Sequence, residues 1–167
     1  MLWMLQGRTP LHYAAYMGRY SMVSELIQRC VSPRPRFTEP TFPLHFRSGA
    51  LSDPPDSNGV TPVHVACDRG QADIAQLLCD CGADVNRRTG DGLCPLHLAC
   101  RCMHHHPPPP LCSGCDFGLR NGNLDCTKVL IAHSCDIEAR AAGSLTALHI
   151  AVQDNRCAPA AACAAAA

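Results

Sequence analysis

The chain has 167 residues with 14 basic and 14 acidic side chains, a zero formal charge that removes the attraction nucleic acid or an anionic membrane surface would need. An apolar share of 47% argues against wholesale disorder and allows one domain with a sizeable core or a short array of small units. No stretch approaches the roughly 18 apolar residues of a membrane-spanning helix, and Met1 to Leu5 is too short for a secretory leader of about 7 to 15 apolar residues, so the chain is expected inside the cell, cytoplasmic or nuclear, with its 13 cysteines mostly reduced.

Along the chain one phrase is written four times: Thr9-Pro10-Leu11-His12-Tyr13-Ala14-Ala15, Thr61-Pro62-Val63-His64-Val65-Ala66-Cys67, Cys94-Pro95-Leu96-His97-Leu98-Ala99-Cys100 and Thr146-Ala147-Leu148-His149-Ile150-Ala151-Val152. Self-similarity of this kind marks a solenoid. Thr9, Thr61 and Thr146 can cap a helix, and Pro10, Pro62 and Pro95 fall at its first position, where no amide bond is lost. Cys94 replaces the Thr in the third phrase, which predicts a looser start there. Gly18, Gly70 and Gly122, each in the same place, supply the positive φ of a tight turn into a second helix. That helix shows the stripe Ile74, Leu77, Leu78, repeated as Val23, Leu26, Ile27 and as Val129, Leu130. Gly82 ends it in a left-handed cap. Cys30 and Ser134 hold the same place, at a cost of up to about 1 kcal/mol each if the backbone is kept.

His64 and His97 stand 33 residues apart, and Gly82-Ala83-Asp84-Val85-Asn86 links the two units. Period, phrase and link resemble the ankyrin repeat. The resemblance implies an all-α solenoid of helix-turn-helix units that binds another protein, with no cofactor and no catalytic residue. Register then divides the chain. An extension at 1–6 precedes a repeat at 7–32, and 33–57 is a half repeat, in register at Pro43-Leu44-His45, or a Pro-rich linker. Repeats follow at 58–90 and 91–142, the latter with an insertion near 104–119. A partial repeat at 143–155 lacks its second helix, because the Ala-rich tail at 156–167 has no amphipathic period. With no polar cap at either end, a truncated product of marginal stability is expected.

By motif position the resemblance places Tyr13, Tyr16, Met17, Asp68, Arg69, Leu98, Arg101, Gln153 and Asp154 outward on the first helices, and Arg87, Arg88, Asp91 and Arg140 at the hairpin tips. Tyr and Arg are frequent interface anchors. His12, His64, His97 and His149 recur one per layer, too far apart to share a metal whose ligands sit about 2 Å away; the resemblance gives them a structural role beside the Thr. Asn86 matches the hairpin Asn that such repeats offer to an asparaginyl hydroxylase. In the insertion, Cys102, His104, Cys112 and Cys115 form an alternative zinc set, weakened by the stiff Pro107 to Pro110 between its halves. No phosphate loop, nucleophile elbow or paired carboxylates point to an enzyme. Internal insertions and Cys-Asp-rich helices are also similar to adaptors that deliver substrates to a cullin ubiquitin ligase, although the C-terminal elongin-binding box of that subfamily is not seen here.

Overall fold

The computed structural model describes residues 7–31, 54–101, 115–153 and 157–166, with backbone alone at 30–31, 115–123 and 157–160. These residues form helices α1 (Pro10–Tyr16), α2 (Tyr20–Val31), α3 (Pro62–Asp68), α4 (Ala72–Asp80), α5 (Pro95–Cys100), α6 (Cys115–Ala132), α7 (Ala147–Gln153) and α8 (Cys157–Ala166), and no strand is found among them. Each odd-numbered helix packs on its even-numbered partner and on the next odd-numbered helix, giving two sheets of helices in register. The core runs between them, through Leu11, Val63, Ile74, Leu78, Leu96 and Leu130.

The phrase sets each helix start through a capping box in which His takes the part more often played by Glu. The Thr9 amide donates to His12 Nδ1 at 3.1 Å, the Thr61 amide to His64 Nδ1 at 3.2 Å and the Cys94 amide to His97 Nδ1 at 3.0 Å. The box therefore keeps its geometry where Cys replaces Thr. An accepting Nδ1 leaves the proton on Nε2, which reaches a carbonyl of the following unit: Val60 at 2.9 Å, Leu93 at 3.2 Å and Ala139 at 3.1 Å respectively. One imidazole thus starts a helix and fastens the next layer.

The helix ends follow the same economy. Gly18, Gly70 and Gly82 have φ of 66°, 67° and 86°, as the spacing predicted. Around Gly82, its own amide donates to Cys79 O and the Ala83 amide to Leu78 O, the two bonds of a Schellman cap. Ser134 repeats this pattern, donating to Ile131 O while Cys135 donates to Leu130 O, and carries a φ of 59°. The register that equates Ser134 with Gly82 is thereby met in the backbone.

The structure corrects four expectations. Cys30 is not a left-handed cap, since α2 continues through Val31. Gly122 makes no tight turn: α6 starts at Cys115, so Gly122 lies inside the helix. The last repeat does not lack its second helix. α8 begins ten residues after α7 begins, the spacing at which α4 follows α3, and packs on both α7 and α6. Alanine has the highest helix propensity and docks closely without a stripe of large residues, and Pro159 falls in the first turn, where its missing amide costs nothing. The fourth concerns Leu98, discussed with the surface.

Neighbouring layers bear on 33–57. α1 packs directly on α3, and α2 touches α4, so the first repeat and the repeat at 58–90 are adjacent layers. Residues 32–53, including Pro43-Leu44-His45, lie outside the described residues. The described residues resume at Pro54, and two residues on stands Asp56, whose buried carboxylate accepts from the amides of Asn58 at 2.8 Å and Val60 at 2.9 Å and pairs with Arg8 at 3.3 Å.

Candidate protein-recognition surface

The first helices present one residue row after another along the stack. Arg69, at the end of α3, lies over the Tyr16 ring of α1 with 4.1 Å from guanidinium carbon to ring centroid. Beside it Asp68 pairs with Arg101, the residue after α5, at 3.5 Å. Burial pushes the Asp68 carboxyl up from its ordinary value, and Arg101 and Arg69 pull it back. These four side chains bridge three successive repeats. Tyr13 on α1 and Met17, which caps the end of that helix, are exposed one turn apart, and Gln153 is exposed on α7. Asp154 lies outside the described residues.

Next to this row a recess of about 280 Å³ opens, lined by Pro10, His12, Tyr13, Tyr16 and Val65 among others. Tyr13 is 57% exposed, whereas Val65 and Leu98, at the same motif position, are 9% and 7% exposed. Leu98 is therefore not outward. This position faces the preceding repeat, which covers it everywhere except on the first described helix.

At the tips, Arg87, Arg88, Asp91 and Arg140 are exposed as expected. Arg88 donates to Arg140 O at 2.6 Å, and backbone bonds join tip to tip, Gly90 to Asn58 O at 2.7 Å and Ala142 to Asp91 O at 3.4 Å. Asn86 is exposed, but its side-chain Oδ1 accepts from the Asp136 amide at 2.7 Å. Two features were not read from sequence. Gly7, Gly59, Gly92 and Ser144, each two residues before a phrase, all have positive φ; three glycines at one register place were the available signal. Asp56 carried none, since nothing local marks a buried carboxylate.

The zinc set falls mostly outside what is described: Cys102, His104 and Cys112 are not covered, and Cys115 is the first residue of α6. Among the described residues no three His, Cys, Asp or Glu side chains are grouped to hold a metal, and no helix is long and apolar enough to cross a membrane.

A stack of helix pairs joined by hairpins, with interface-type side chains aligned across its layers, defines a repeat solenoid of the protein-binding class. The chain belongs to the ankyrin-repeat family: the family described as "Ankyrin repeats (3 copies)" matches residues 38–107 and "Ankyrin repeat" matches 6–36, together more than half of the chain. It is similar to the probable 26S proteasome regulatory subunit p28 of Saccharomyces cerevisiae, 30% identical over 95 residues that cover 56% of this chain and 35% of that protein. Ankyrin repeat-containing protein P1E11.10 of Schizosaccharomyces pombe is 40% identical over 54 residues, 32% of this chain and 26% of its own length. Alpha-latrotoxin-Lg1a of Latrodectus geometricus is 39% identical over 95 residues, 56% of this chain and 6% of the toxin. The chain thus matches about a third or less of each of these relatives. Membership in this typically non-catalytic family makes the chain a protein-protein interaction module.

Proposed function

We propose that the module binds its partner through the row formed by Tyr16, Arg69, Asp68 and Arg101, with the recess beside Tyr13 receiving an apolar side chain. The observation that carries this reading is the Arg69 to Tyr16 stack: two anchor-type side chains from different repeats hold each other in place with no partner present. Such preorganisation lowers the ordering cost of binding. Relatives named as a proteasome subunit and a toxin share the repeats, so the identity of a partner resides in side chains on this face and not in the fold. Carried one step further, the module would present a protein substrate to a larger assembly, the adaptor role that the resemblance suggests.

Quantitative affinity capture from cell lysate tests the surface. Changing Tyr16 and Arg69 together to Ala should weaken capture by roughly 30-fold or more, since hot-spot anchors contribute about 2 kcal/mol. Removing residues 104–114, which leaves α6 whole, should change it little. The reverse ranking would move the activity from the repeat surface to the insertion.

A further inference from the structure

We propose that Cys100 and Cys163 form a redox-sensitive dithiol, whose oxidation to a disulfide ties the last helix to the third repeat. Their sulfurs lie 3.9 Å apart and both residues are almost completely buried. Cys100 is the last residue of α5, where the chain leaves for the insertion, and Cys163 faces it from α8. A covalent bond needs the sulfurs at about 2 Å, a movement small enough for side-chain rotation and a slight shift of α8. Because α8 is nearly all alanine, few large side chains resist that shift.

The same helix controls access. α8 is held almost entirely by small alanine side chains, so it opens locally at lower cost than the layers packed through large side chains. A second thiol pair makes the contrast: Cys67 and Cys126 hydrogen-bond to each other, fully buried between the repeat at 58–90 and the one after it. Opening that pair requires separating internal layers.

The oxidant belongs to the hydroperoxide class. Cys100 and Cys163 share a hydrogen bond in which either thiol can donate, and that bond together with burial pushes the Cys100 thiol up. Cys163, carried on the more easily opened α8, meets the peroxide first and is the attacking sulfur. Its thiolate takes the distal oxygen of the hydroperoxide, the O–O bond breaks, and the departing oxygen takes up a proton as an alcohol or water. Cys163 is then a sulfenic acid. Cys100 attacks its sulfur, the S–O bond breaks, and the leaving hydroxide departs as water with the proton from Cys100. Two thiols and one hydroperoxide thus give one disulfide, one alcohol or water from the peroxide, and one water.

The test uses the full reduced chain, hydrogen peroxide, peptide mapping without reductant and hydrogen exchange. A Cys100 to Cys163 cross-link, two hydrogens lighter than the separate peptides, should form before any Cys67 to Cys126 link. Exchange across α8 should slow by roughly tenfold or more on oxidation. Cys163→Ala extends the alanine run of α8, and Cys100→Ala copies Ala15 at the same motif position, so each should keep α8 docked and abolish both changes. Linkage through Cys94 or Cys157 instead, no linkage in a chain whose α8 is protected, or equal slowing in either variant would overturn the proposal.

Discussion

The repeat at 58–90 and the last repeat are written in nearly the same phrase, yet they sit in different surroundings. Val63 and Cys67 are fully buried, while Leu148 and Val152, at the same motif positions, are 37% and 65% exposed. His64 bonds at both ring nitrogens inside the core; His149 keeps its Nδ1 contact with the Thr146 amide at 3.3 Å but is exposed, with no described carbonyl at Nε2. The phrase therefore encodes a helix start, and the neighbouring layer supplies the burial. That is nearest-neighbour energetics seen in single side chains.

The sharpest way to break this comparison is to truncate the two histidines. His64→Ala removes a buried ring and leaves the Leu93 carbonyl without its donor, which should cost about 3 to 5 kcal/mol in chemical denaturation. His149→Ala should cost less than about 1 kcal/mol, because only its cap is lost. Equal costs would show that the phrase acts alone.

Acid tests the same difference more gently. Burial lowers His64 to about 4 from its ordinary 6.5, and lowers His97 as well. As pH falls, the unfolded chain takes up these protons first, so the stabilisation is complete above pH 6.5 and is lost as pH falls toward 4. His64 alone should contribute about 3 kcal/mol to that loss. Denaturation midpoints across this window should fall monotonically in the parent chain and more shallowly in His64→Ala.

The smallest effects concern helix ends. Ser134→Gly should raise stability by up to about 1 kcal/mol, since Ser134 pays for a left-handed φ. Cys30→Gly should lower it by a similar amount, because Cys30 stands inside α2. Both changes put Gly at one register place, so opposite signs would separate backbone conformation from motif position.

Much of the fold was legible because its signals are local. Pro10, Pro62 and Pro95 mark three helix starts directly, and Gly18, Gly70 and Gly82 mark ends. What escaped was set by neighbours. The Ala-rich tail lacks the period that usually betrays a packed helix, yet α8 docks because α6 and α7 present a place for it. Leu98 reads as outward until the preceding repeat is laid against it. Of the candidate surface, Tyr16, Arg69, Asp68 and Arg101 could be named from register. Their pairing across layers needed the stack itself.

The seat of α1 on α3 has a consequence for how the chain can vary. The two layers on either side of residues 32–53 touch each other directly, through α1 against α3 and α2 against α4. Cutting the chain between Val31 and Pro54 would leave both sides of the α1 to α3 contact covalently whole. The first repeat can therefore be treated as a detachable part: a gene could gain, lose or exchange sequence there without rewriting the stack, and two separately made pieces could reassemble across that seam.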